Sequence, residues 1–335
     1  MRRRFRTFPR LALALAAALL VAEAHAFTVK TRLAGAQNWS VAATWIKTLT
    51  GTVTFTNGNV NVAGVGTLFL TEVSPGDVLM IDDGTVATVR GTVKSITNNT
   101  ALVLTAGANG TRNGAYGKEA VPAAADDVQI GNTNVASLAT ITLDVASATV
   151  NSLTFAADNL AHSLTHSGTN ALTVSTNVTV NQPTANNTTI AWNINGGSAA
   201  VTGNLTLGGA NNTATRIADV VLTTGSLTIS GNLNFTTGTS AAVALIDLSG
   251  GAGTLNIAGA INPSASNRGT LTPGTTSTVN FNGTAAQTIT LGVATITYNN
   301  VTINNTAGVT PSAAITATNV TGNLNVQTGT LSNGG

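Results

Sequence analysis

The chain has 335 residues, of which 8% are charged and 4% are aromatic, and it contains no cysteine. A globular α/β enzyme usually carries about a quarter of charged residues, and a disordered chain combines low hydrophobicity with high net charge, so this composition fits neither class. The lack of cysteine excludes disulfides and thiolate metal sites. Abundant Thr, Asn, Ser and Val instead favour an all-β protein with stacked side-chain ladders.

Residues 1–26 have the pattern of a secretory signal peptide. Five arginines precede an apolar run from Leu11 to Val21, and Ala24-His25-Ala26 forms a small-x-small cleavage site. The apolar run is too short to span a bilayer. We therefore expect export and cleavage after Ala26. The sequence is compatible with either the Sec or the twin-arginine export route.

Removing the signal peptide changes the charge balance. Of the 14 basic and 12 acidic residues, five Arg and one Glu lie in residues 1–26, which leaves 9 basic and 11 acidic residues, or net −2. The basic character of the whole chain therefore gives no support for a nucleic-acid partner. No later stretch is long and apolar enough to form a transmembrane helix.

The segment 27–45 is predicted to cap the fold, and its residues carry a family resemblance. The sequence NWSVAATW at 38–45 and the later VPAAADDVQI at 121–130 resemble the opening of secreted bacterial β-helix proteins of the autotransporter-passenger and adhesin type. FNGTAAQTI at 281–289 and YNNVTI at 298–303 resemble repeats of the same class. The resemblance implies a surface-exposed passenger whose partners are host or environmental glycans or cell surfaces.

Residues 46–120 interrupt this pattern and are predicted to form an inserted β module. Asn57-Gly58 between alternating runs indicates a hairpin, and Pro75-Gly76-Asp77 and Asp83-Gly84 indicate further turns. The segment is similar to small β modules of phage tail-fibre and bacterial surface proteins. We expect a compact barrel or sandwich of five to seven strands, which either shields the first coil's open edge or contacts a ligand.

Residues 121–335 contain an internal repeat. Related units are anchored at Asn177, Asn204, Asn232 and Ala260, spaced by 27, 28 and 28 residues, and the unit returns at Asn323. This period predicts a parallel β-helix (β-solenoid) with two or three short strands per coil, inward apolar ladders and an asparagine ladder at a turn. Propellers and tandem sandwiches do not fit the period. Because Gly335 falls within a repeat, we expect further C-terminal domains.

Two groups of polar residues are candidates for chemistry. Asp219 and Asp247 are one period apart and could stack on adjacent coils. The favoured interpretation is that both are turn residues whose side chains bond to the backbone. Asp126-Asp127 and Asp82-Asp83 are also read as turn residues. His162 and His166 share one strand face, where we expect solvent-facing side chains and no metal site.

Trp39 and Trp45 are the remaining ligand-contact candidates. They could form a sugar-stacking platform, but burial as a cap is favoured because they lie where the fold begins. We predict no catalytic residues, cofactor or metal, and thus a surface-structural or adhesin-like protein. The alternatives are a glycan-binding or polysaccharide-active β-helix, a phage-tail-like fibre, and an ice- or crystal-binding surface.

Overall fold

A computed structural model describes residues 26–84, 88–131, 138–209, 213–236, 244–264, 269–293 and 295–332. The chain is almost entirely β, and parallel coils stack into a β-solenoid of about seven turns, which confirms the predicted fold class. The predicted signal peptide, except Ala26, lies outside the described residues.

Each complete coil contributes one strand to each of three parallel sheets. Sheet A contains β1 (Thr28–Thr31), β9 (Asp127–Ile130), β12 (Ser152–Phe155), β15 (Val178–Asn181), β18 (Leu205–Gly208), β21 (Leu233–Phe235) and β24 (Ile261–Asn262). Sheet B contains β2 (Gly35–Asn38), β10 (Ala139–Leu143), β13 (Ser163–His166), β16 (Thr188–Asn195), β19 (Arg216–Leu222), β22 (Ala244–Asp247) and β25 (Thr270–Thr272). Sheet C contains β11 (Ser147–Val150), β14 (Ala171–Val174), β17 (Ser198–Val201), β20 (Ser226–Ile229), β23 (Thr254–Ile257), β26 (Thr278–Phe281), β27 (Gln287–Ile289), β28 (Asn300–Pro311) and β29 (Leu324–Leu331).

The core of the solenoid is made of apolar ladders that run from coil to coil. Alternation along each strand directs every second side chain inward, and the parallel register places equivalent residues above one another. One such ladder in sheet A consists of Leu153, Val178, Leu205, Leu233 and Ile261. All five side chains are buried, and each buried aliphatic side chain contributes roughly 1.5–3 kcal/mol relative to an exposed one.

The asparagine ladder lies at the turn before sheet A. Asn177, Asn204 and Asn232 each use the side-chain Oδ1 to accept a backbone N–H from the next coil, at 2.8 Å, across 27, 28 and 28 residues. The sequence spacing thus predicts the ladder, whose bonds run from backbone to side chain. Other coils are shorter: the side chains of Asn151 and Asn280 bond to residues 24 positions earlier.

The N-terminal module is a closed antiparallel barrel of six strands. Its strands are β3 (Trp45–Phe55), β4 (Asn61–Val65), β5 (Val78–Ile81), β6 (Val89–Asn98), β7 (Ala101–Leu104) and β8 (Arg112–Lys118), and a short helix α1 (Phe69–Glu72) follows β4. A 3-10 turn, Ala42–Thr44, precedes β3. The barrel has its own core around Phe55, Phe69 and Tyr116.

The barrel and the solenoid are joined by backbone pairing and by ion pairs. Strand β1 lies between β3, which is antiparallel, and β9, which is parallel. Lys30 of β1 pairs with Asp82 of the barrel at 2.8 Å, and Lys47 of the barrel pairs with Asp126 at 2.8 Å. Both carboxylates are almost fully buried, so these pairs fix the barrel against the first coil.

Candidate functional site

Trp39 and Trp45 form part of the solenoid core. Their rings meet edge to face with centroids 5.0 Å apart, and Trp45 Nε1 donates to the Trp39 carbonyl at 3.0 Å. The side chains are 1% and 0% exposed. Burial as a cap is therefore confirmed, and the ligand-contact role is wrong because neither ring face is available to a sugar.

Asp219 and Asp247 lie on the outer face of sheet B, on neighbouring strands, but they are not stacked. The register sets Asp219 opposite Leu245 and Asp247 opposite Val221, so the two carboxyl groups are diagonal neighbours. Asp219 is a strand residue, contrary to the expected turn, whereas Asp247 Oδ1 accepts the Ser249 N–H at 2.8 Å. Burial, and then the charge of Asp247, raises the pKa of Asp219 to about 7.

His162 and His166 are buried, so the expectation of solvent-facing side chains is wrong. His166 Nδ1 contacts the Asn170 carbonyl and its Nε2 accepts the indole N–H of Trp192, each at 3.0 Å. Burial lowers the pKa of His166, and the Asn170 carbonyl offsets part of this effect. His162 Nδ1 accepts the Ala139 N–H at 3.0 Å, and its Nε2 lies 2.6 Å from Asp158 Oδ2. Both imidazoles therefore lie inside the coil, where their ring nitrogens pair with polar groups of the protein.

Asp126 and Asp82, from the remaining acidic pairs, are held by hydrogen bonds and ion pairs within the fold. Asp126 accepts the Ala123 N–H at 2.9 Å, as expected for a turn, in addition to pairing with Lys47. Asp82 differs from a simple turn residue because Thr48 and Lys30 both donate to it. Among the residues that the structure describes, no three His, Cys, Asp or Glu side chains lie close enough together to hold a metal ion.

The outer faces of sheets A and C carry uncharged polar columns. On sheet A, successive coils present Thr154, Thr179, Thr206, Asn234 and Asn262 in register. The Asn262 side-chain amide donates to Asn234 Oδ1 at 2.9 Å. On sheet C, Asn280 donates to Asn256 at 3.1 Å, and Asn256 donates to Thr228 at 3.2 Å. The sequence period predicts these columns only indirectly, because neighbouring coils use different hydroxyl and amide residues.

Paired threonine rows do not extend along sheet B. Thr140 and Thr142 point outward from β10, but the next coil presents Ser163 and Thr165 at these positions. The coil after that presents Ala191 and Asn193. A second outward pair, Thr270 and Thr272, lies on β25 at the other end of the sheet, so the Thr-x-Thr pairs do not form a continuous row.

A cavity of about 160 Å³ opens at the corner between sheets A and B. It is lined by Ala157, Asn181, Gln182, Pro183, Thr184, Gly208, Gly209 and Arg216. Gln182 is 5% exposed, and its Nε2 donates to the Arg216 carbonyl at 3.1 Å. No sequence pattern predicts this cavity, since Gln182 lies in the connection after β15, outside the alternating strands.

No family model, curated protein or solved structure matches the chain. Over the described ranges, no helix has the length and apolar character needed to cross a membrane.

Proposed function

We propose that the chain is an exported, adhesin-like β-solenoid of the cell surface that has no catalytic activity of its own. The observation that carries this proposal is the stack of about seven coils, in which sheets A and C present hydroxyl and amide columns on their outer faces. Interstrand backbone hydrogen bonds and continuous core ladders make such a stack stiff. Polar, uncharged columns suit extended contact with glycans or cell surfaces through many individually weak hydrogen bonds.

The signal-peptide pattern of residues 1–26 supports export, and the closed barrel at the N-terminal end supports a displayed module. Expression of the full chain in a bacterial host, followed by N-terminal sequencing of the secreted or surface fraction, is expected to give Phe27 as the first residue. A chain that stays inside the cell with residues 1–26 attached contradicts export.

Binding and catalysis are tested separately with purified residues 27–335. We expect retention on at least one polysaccharide-coated or cell-derived surface, and no release of reducing ends or unsaturated products from polysaccharides. Failure to bind any such surface contradicts the adhesin-like role. Product release would favour the polysaccharide-active alternative instead.

A further inference from the structure

The corner cavity between sheets A and B has the features of a built binding site. Its volume of about 160 Å³ is equivalent to about five water molecules at roughly 30 Å³ each, which is also the size of a single sugar ring. Residues at or after the ends of β12, β15 and β18, on three successive coils, supply its walls, so its shape depends on the register of the solenoid.

A buried acceptor without a partner lines this cavity. The Gln182 side chain is 5% exposed, and its Nε2 is held by the Arg216 carbonyl. Its Oε1 is buried and accepts no hydrogen bond from the protein. A buried carbonyl oxygen left without a hydrogen bond is destabilising, so this atom favours a ligand that brings a hydroxyl or amide donor.

The cavity is also lined by the only cation in the described part of the solenoid after β9. Arg216 donates through Nε to Asn186 Oδ1 at 2.9 Å and forms no ion pair with a described acidic residue. Asp158, whose backbone carbonyl accepts the Thr184 N–H, has its carboxylate engaged by the Leu160 N–H at 2.8 Å and by His162 at 2.6 Å. A guanidinium group without a carboxylate partner favours an anionic ligand, with which it can form a planar, charge-assisted contact.

We propose that the cavity formed by Gln182, Arg216 and their neighbours binds an acidic sugar residue, a hexuronate of a polysaccharide chain. A ring hydroxyl donates to Gln182 Oε1, and the sugar carboxylate accepts from Arg216. Asn181 and Thr184 offer further polar groups, while Ala157 and Pro183 provide apolar surface for the C–H face of the ring. The site is independent of the export and surface role proposed above.

The first test is calorimetric titration of residues 27–335 with oligomers of galacturonate, glucuronate and mannuronate. Methyl-esterified versions, which keep the ring and lose the charge, serve as control ligands. We expect at least one acidic oligomer to bind, and its ester to bind about tenfold more weakly. If no acidic oligomer binds, or if the ester binds equally well, the proposal is wrong.

Variants then locate the site. Arg216→Gln removes the charge, and Gly209→Val fills the cavity, since a Cβ at this glycine would lie 3.3 Å from Gln182 Cβ and Oε1. Arg90→Gln in the barrel is the matched control, because Arg90 also lacks a described acidic partner and donates to the Asn109 carbonyl. Thermal melts monitored by circular dichroism establish that each variant is folded.

We expect both cavity variants to weaken binding at least tenfold, with Arg90→Gln unchanged. Binding that survives both substitutions in folded protein places the ligand elsewhere and overturns this site. Such a result leaves the adhesin-like role intact, whereas failure of all surface binding contradicts that role without bearing on Arg216.

Discussion

The backbone N–H of Asn232 donates to the side-chain Oδ1 of Asn204 at 2.8 Å, across one coil of 28 residues. Asn204 in turn donates its own backbone N–H to Asn177 in the coil before. Asn204 therefore accepts from one neighbouring coil and donates to the other, so the register of the turns is fixed by side chains as well as by the sheets.

Asn204→Ala is expected to lower the free energy of unfolding by about 1–2 kcal/mol, because the Asn232 N–H loses its acceptor in a partly buried turn. Hydrogen exchange at the Asn232 amide should accelerate. Urea denaturation and exchange mass spectrometry measure the two effects. Asn262→Ala, an exposed amide that donates to Asn234 alone, is the control, with an expected change below about 0.5 kcal/mol. Equal effects of the two substitutions would contradict the structural role of the ladder.

Trp45→Ala is expected to destabilise the protein by about 3–5 kcal/mol, because it removes a buried ring from the start of the core. Trp45→Phe keeps most of the ring volume and loses the bond to the Trp39 carbonyl, so it should cost clearly less. Urea denaturation followed by circular dichroism measures both. A Trp45→Ala variant as stable as the wild type would show that this cap is not packed as described.

His166 is expected to make the protein less stable on acidification. Its pKa is lowered in the folded state by burial, whereas the unfolded chain binds a proton near the ordinary pKa of about 6.5. The contribution is therefore complete above about pH 6.5 and is lost as the pH falls toward the folded-state pKa. Protonation would also break the bond that His166 Nε2 accepts from Trp192.

The measurement is the melting temperature of the wild type and His166→Gln between pH 7.5 and pH 5. The variant should lose less stability over this range than the wild type, although it can be less stable throughout. Parallel pH profiles for the two proteins would show that His166 does not titrate differently in the folded state.

Asp219 is expected to make the protein less stable as the pH rises, which is opposite to the effect of His166. Its pKa is raised to about 7, whereas the unfolded chain releases this proton near the ordinary aspartate pKa of about 3.9. The stabilisation is therefore complete below about pH 4 and is lost progressively as the pH rises to about 7. Asp219→Asn removes the buried charge and should raise the melting temperature most at pH 8.5, less at pH 5.5 and least near pH 4. Asp247→Asn removes only the repulsion and should have a smaller effect. A stabilisation by Asp219→Asn that is independent of pH would contradict this account.

The period, the coil architecture and the asparagine ladder could be predicted because spacing in the sequence maps directly onto stacking of coils. The orientation of the histidines was predicted wrongly, although a signal was present: Leu164 lies between His162 and His166 on the same strand face, and an apolar residue there marks the inward side. The Asp219 environment and the Gln182 cavity could not be predicted, since they depend on strand register and on how connections fold at a corner.

The stacked-coil architecture is tested most directly by double electron–electron resonance, which measures the distance between two spin labels. The labels are attached at Thr154→Cys and Asn262→Cys, and no other site is labelled because the chain has no other cysteine. These outward residues lie in one column, linked through Thr179, Thr206 and Asn234. Four interstrand steps of about 4.8 Å predict a narrow distribution near about 19 Å between the backbones. A broad distribution, or one centred well beyond about 30 Å, would contradict the parallel β-solenoid in this register.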